Sequence, residues 1–299
     1  GTNAAARETL SALYRVAYTT AHPSTCLPPF LPPVPAGGRI IIIGAGKGSA
    51  AMAVATERHY IAAGLGGKIS GLISTRHGFG LATEIIKILE AGHPVPDANS
   101  IQGAKIAIEL AKSAGPNDLV LCLLSGGASA LWSAPVDGVS FESKQQLTKQ
   151  LLKSGAPISE MNCVRKHLSR IKGGKLAAAA HPASLLTVAI SDVPGDHPDE
   201  IGSGPTVADR TTLAEASAVL ARWNITPAQE IAAALNDANN ETLKAGDPKL
   251  SSSNYKIVAA PKASLEAAAK LAREKGYRVD VLGDSLEGEA RQVAAFHAA

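Results

Sequence analysis

The chain has 299 residues, 45% of them hydrophobic, 18% charged and 4% aromatic, with a formal net charge of +3. This is the make-up of a globular chain that can bury sizeable cores, and its length suggests two domains. It has no Lys/Arg block, no aromatic stacking platform and no apolar stretch of membrane-spanning length, so neither nucleic acid nor membrane is an expected partner. Small anions stay compatible with that charge. Cys26, Cys122 and Cys163 are too far apart for a disulfide framework or a metal pair, and no secretory leader is read, which together point to the cytoplasm.

In chain order, residues 9–18 carry Leu10, Leu13, Val16 and Ala17 at helical spacing, and the proline-rich residues 27–35 read as a stiff connector. Ile40 to Ile43 predict a strand buried on both faces. It runs into Gly44-Ala45-Gly46-Lys47-Gly48-Ser49 and then a helix over 50–60. Strand, glycine turn and helix make an anion-binding arrangement, with free N–H groups and the positive dipole end facing a phosphate. The dinucleotide pattern fits only in part, because Ser49 replaces its third glycine and the next strand lacks the ribose-binding acid. P-loop spacing is absent, and a purely structural turn answers to the same glycines. Lys47 favours phosphate chemistry.

Strands are predicted over 71–75 and 85–89, then a turn-rich loop over 90–97 and a helix over 100–112; His93, between glycine and proline, reads first as a turn residue. The next strand, 119–124, ends in Ser125-Gly126-Gly127-Ala128-Ser129, either a backbone nest for an anion or a tight turn. A helix is predicted over 157–171, with Val164, Leu168 and Ile171 facing inward. Asn162, Arg165 or Lys166, Ser169 and Lys172 lie on its other face, and Gly173-Gly174 ends it before a second helix to 180.

A further apolar strand, 185–190, opens into the acid-, glycine- and proline-rich residues 191–206. Asp192 then sits at a strand's C-terminal end, where open α/β sheets bind ligands, although a solvated acidic loop is the competing reading. Helices follow from 211, with a capping box at Thr226-Pro227-Ala228-Gln229. Beyond a linker, strand 255–259, helix 264–275 and strand 277–282 read as a fresh βαβ unit before a last helix. The expected architecture is therefore α/β. A Rossmann-like parallel-sheet domain spans 1–245, residues 246–254 link, and 255–299 open a second α/β domain that reads as cut short.

Five ordered motifs carry a resemblance to the glycerate 2-kinase family, the class II glycerate kinases with a MOFRL domain, often labelled hydroxypyruvate reductases. They are Gly44-Ala45-Gly46-Lys47; Glu90 to Asp97; Leu124 to Leu131; Asn162 to Ser169 with Lys172-Gly173-Gly174; and Ser191 to Asp196 with Ile201 to Thr206. Members of the family continue with Gly-Gly-Glu and Gly-Arg-Asn-Gln-Glu segments that do not occur here. The resemblance implies ATP- and Mg²⁺-dependent phosphorylation of D-glycerate to 2-phosphoglycerate, with glycerate and nucleotide as partners and a homodimer left open. Phosphoryl transfer relies on positioning and charge neutralisation. Lys47 is accordingly expected at the transferring group, Asp192 on the substrate hydroxyl or the metal, and Asp196 in a supporting metal role. Gly44, Gly46, Ser125, Gly126, Gly127 and Ser129 would line the anion, and Arg165 and Lys166 would meet the glycerate carboxylate or the nucleotide phosphates. The rivals are an NAD(P)H-dependent hydroxypyruvate reductase, for which Arg76 would take a 2′-phosphate, and a non-catalytic sugar-phosphate-binding module.

Overall fold

Four consecutive isoleucines leave the first strand no polar face. In the computed structural model, which describes residues 2–284, 286 and 289–298, β1 (Ile40–Ala45) is buried throughout. β2 (Ile69–Arg76), β3 (Lys87–Ala91), β4 (Leu119–Leu124), β5 (Ser184–Ile190) and β6 (Ser253–Ala259) join it in one sheet of order β3-β2-β1-β4-β5-β6, every pair parallel. This is the doubly wound Rossmann order, with its switch point between β1 and β4. The α/β class and the Rossmann-like sheet are as the sequence predicts.

Helices cover both faces, as an all-parallel sheet requires. They are α1 (Thr2–Ala21), α2 (Pro23–Cys26), α3 (Ser49–Ala62), α4 (Ala98–Lys112), α5 (Ala128–Leu131) and α6 (Phe141–Ser154), then α7 (Ile158–His167), α8 (Lys175–Ala180), α9 (Leu213–Arg222), α10 (Gln229–Leu235), α11 (Pro261–Glu274) and α12 (Ala290–Ala298). Strand alternation sends Ile41 and Ile43 into a core with Ala104, Ala107 and Leu176 of α4 and α8, and Ile40 and Ile42 into another with Met52, Ala53 and Tyr60 of α3. A third core, away from the sheet, joins Leu147, Val164, Val219 and Ile231 from α6, α7, α9 and α10.

Several boundaries differ from the sequence expectation, each for a local reason. β3 begins at Lys87 because Glu57 takes the N–H groups of Glu84, Ile85 and Ile86 at 2.8, 3.0 and 3.1 Å. The helix expected over 157–171 stops at His167. Ser169 Oγ accepts from the Ile171 and Lys172 amides at 3.1 and 3.2 Å, offering the backbone an alternative to the next helical turn. The helix expected to open on Pro227 starts at Gln229, and its N-cap residue Ala228 has no side-chain acceptor to give. Residues 277–282 form no strand, and Val281 and Leu282 are exposed. The strand expected to open a second domain pairs with β5 instead, with Thr187 opposite Tyr255, and extends the first sheet across the 246–254 linker.

Candidate active site at the switch point

The switch point brings the turns after β1 and β4 together. Gly46 has φ +147, and a Cβ there would lie 2.0 Å from Ser125 Oγ; one on Gly44 would lie 2.2 Å from the Leu123 carbonyl oxygen. Both glycines are required by the close approach of β4. Lys47 N–H donates to the Gly126 carbonyl (2.8 Å) and Gly48 N–H to Ser125 Oγ (3.0 Å), so two donors at the start of α3 are already used inside the protein. Ser125 is buried and holds the two turns in register, with Ser49 Oγ also 3.2 Å away. A dinucleotide pyrophosphate would need those amides free.

Chemistry gathers on the rim. Lys47 Nζ lies 3.6 Å from Asp192 Oδ2, and both side chains are about half exposed. The Asp192 carboxylate packs over Gly126, where a Cβ would fall 1.8 Å from Oδ2. Gly127, left-handed at φ +88, faces the His93 ring and the Lys47 stem, with positions 2.8 Å from His93 Nε2 and 3.4 Å from Lys47 Cγ for an added Cβ. Among the described residues the N–H groups of Gly126 and Gly127 donate to no acceptor. Burial lowers the His93 pKa first, and Lys47 and Arg76 lower it further against the opposing pull of Asp192, so its imidazole is neutral near pH 7. A cavity of about 640 Å³ opens over Lys47, Gly126 and Asp192, walled by Tyr14 and Tyr18 of α1 and by Phe79.

The remaining predicted residues divide. Ser129 Oγ receives Arg165 Nη2 at 2.9 Å and pairs with Ser203 Oγ at 2.8 Å, so Ser129 and Arg165 stand together one turn beyond Gly127. Lys166 does not join them. Its Nζ is buried against Asp209 Oδ1 at 3.2 Å, and the same carboxylate takes the Thr211 and Thr242 hydroxyls, which makes a closed structural pair. Asp196 is held at φ +52 in the loop after β5 and does not line the cavity; its Oδ1 is buried without a partner among the described residues. Sequence reasoning placed His93 among turn residues and read Lys172 as one of an outward cationic face. The strand end two residues before His93 was the signal for the first; for Lys172 the backbone turn made by Ser169 left none.

Among the described residues no group of three or more His, Cys, Asp or Glu side chains could hold a metal, and no helix is long and apolar enough to cross a membrane. Mg²⁺ is commonly held by one or two carboxylates together with substrate phosphates. A half-exposed Asp192 beside the cavity fits that mode and no all-protein cage.

A Rossmann-ordered sheet whose switch point joins a lysine, a carboxylate and free backbone donors defines a doubly wound α/β protein with its candidate site at the strand ends. Residues 9–236 match the family model described as a domain of unknown function, DUF4147. The chain is 39% identical over 265 residues to a glycerate 2-kinase of Pyrococcus horikoshii, spanning 87% of this chain and 58% of that protein. It is 48% identical over 288 residues to an Agrobacterium vitis protein that carries the name hydroxypyruvate reductase, spanning 96% of this chain and 64% of that one. The crystal structure of a glycerate kinase from Thermotoga maritima superposes with a TM-score of 0.83 at 36% identity, over 97% of this chain and 69% of that one. The chain belongs to the glycerate 2-kinase family. It spans about six-tenths of the length of those curated relatives.

Proposed function

We propose that this chain carries the phosphate-handling half of an ATP-dependent glycerate 2-kinase, which converts D-glycerate to 2-phosphoglycerate. The observation that carries the reading is the approach of Lys47 Nζ to Asp192 Oδ2 (3.6 Å) beside the unused N–H groups of Gly126 and Gly127. Lys47 and the two amides face the transferring phosphoryl group and stabilise the charge that develops on its oxygens. Asp192 orients the attacking hydroxyl. Neutral His93, against Gly127, adds no further positive charge and is free to accept that hydroxyl's proton or hydrogen bond. Asp192, with the nucleotide's phosphates, would hold Mg²⁺, which supplies charge neutralisation across those phosphates when bound. Asp196 and Lys166, outside the cavity, take no part in this assignment.

The reductase reading loses support at the β1 turn, where Lys47 and Gly48 spend their amides on the β4 loop. One preparation given D-glycerate with Mg²⁺ and ATP, and separately hydroxypyruvate with NADH or NADPH, tests the choice. Phosphoglycerate formed only with all three components is expected; nicotinamide oxidation without phosphoglycerate would sink the kinase reading.

A further inference from the structure

A buried cluster of cations lies next to the candidate site, and among the described residues no acid pairs with it. Arg165 Nη2 and Lys172 Nζ converge on Ser129 Oγ, at 2.9 and 3.1 Å, and Lys172 also donates to the Ser129 and Trp132 carbonyls at 2.7 and 3.1 Å. Arg165 has one more neutral acceptor, Asn162 Oδ1 at 3.4 Å. Lys144, on the buried face of α6, completes the cluster. It is only 8% exposed, and its Nζ has no hydrogen-bond partner among the described residues. The neighbouring Gln145 side chain donates to the Pro96 carbonyl at 3.2 Å, which fixes this end of α6 to the loop that carries His93.

The charges felt here are all of one sign. Arg165 and Lys175 act on Lys144, and Arg165 and Lys144 act on Lys172. No carboxylate acts on Lys144, Arg165 or Lys172, and none of the three forms an ion pair among the described residues. Lys175, by contrast, has Glu241 and Asp209 nearby and donates to the Ser169 and Asn240 carbonyls. Buried charges in proteins are normally paired, because an isolated one is expensive to remove from water. Two cations on one serine, and a third nearby whose ammonium is unbonded, lack the anionic group that would balance them. Arg165 and Ser129 are the partly exposed members of the cluster.

We propose that Lys144, Arg165 and Lys172 form an anion site that takes the carboxylate or phosphate of a small ligand, entering past Ser129 and Arg165 and bonded directly by Lys144 Nζ. If the kinase reading holds, the substrate's carboxylate is the fitting occupant. Ser129 is only two residues from Gly127, on the turn after β4 whose Gly126 packs against Asp192. In that form the inference rests on the proposed function, but the site itself does not.

The test compares the parent with Lys144→Met, and with Lys144→Gln as a second variant. Titration calorimetry at low ionic strength would use D-glycerate, inorganic phosphate and ATP as separate probes, alongside thermal unfolding of the free protein. At pH 6, where Lys144 is charged, Lys144→Met should unfold no earlier than the parent, because it removes an uncompensated buried charge, yet bind one probe about tenfold or more weakly, as the loss of a charge-assisted bond requires. The weakened arm names the source: glycerate for a substrate carboxylate, phosphate or ATP for a phosphoryl group. Unchanged affinity for all three probes in both variants, or a parent that binds none of them, overturns the site. Normal glycerate phosphorylation with unchanged affinities would remove the site and leave the kinase reading intact. A weakened phosphate arm in a protein that does not phosphorylate glycerate would do the opposite.

Discussion

Gly126 is the residue at which packing and chemistry compete for the same space. A Cβ there would sit 1.8 Å from Asp192 Oδ2, so Gly126→Ala must push the carboxylate away from Lys47. The expected result is a fall in kcat of about 10² with little change in thermal stability, since a misplaced group costs most in the transition state. Lys47→Met should cost a similar factor, and a variant with full kcat would remove that lysine from the reaction. Lys144 supports a prediction about stability instead. Burial, with Arg165 and Lys175, lowers its pKa from 10.5 to about 7. Between those values the unfolded chain holds a proton that the folded one has released, so this group's contribution to stability rises with pH across that window. Below pH 7 both states are protonated and the full penalty stands. Lys144→Met should therefore gain most over the parent near pH 6, and the gap should close toward pH 10. A gap that stays constant in melts across that range would show that the ammonium is not strained by burial.

The elements that sequence patterning located best are those with both faces in one core. Ile40 to Ile43 and Leu119 to Leu124 are continuous apolar runs, Leu185 to Ile190 is broken only by Thr187, and each is a central strand. Two of the misread boundaries turn on single polar side chains that accept from backbone amides. Glu57 on α3 shortens β3 from 27 to 29 residues away, and Ser169 ends α7 by taking two amides for itself. The candidate site follows the same division. Lys47, Asp192 and the Ser125 to Gly127 turn were legible because each follows a strong strand. Lys166 was not separable from Arg165 by spacing, because only the fold supplies Asp209 as its partner. Glu57→Gln should cost about 1–3 kcal/mol, since one carboxylate satisfies three backbone amides, that of Ile86 buried, and an amide side chain offers a single acceptor oxygen. Urea unfolding measures it, and an unchanged midpoint would mean that β3 starts at Lys87 for another reason.

At the scale of the whole molecule, β6 decides where the first folding unit ends. Composition places a linker at 246–254 and would let the unit close at residue 245. Parallel pairing instead adds Ser253–Ala259 to the edge of β5, with backbone donation from Leu185 N–H to the Ser252 carbonyl at 2.9 Å and from Ser191 N–H to the Ala259 carbonyl at 2.9 Å. The second of these bonds lies one residue before Asp192, so the edge strand helps to fix the loop that carries the candidate carboxylate. Tyr255 and Ile257 also pack on the core formed with α4 and α8, and Val258 on the one formed with α3. A chain ending at residue 245 would leave β5, apolar and buried on both faces, with an unpaired edge, the arrangement most prone to intermolecular strand pairing. We expect residues 1–245 to melt well below residues 1–299 and to associate in light scattering, with Asp192 no longer held beside Lys47. Equal melting temperatures and a monomeric short form would put the domain boundary back at the linker and make β6 an ornament of the sheet.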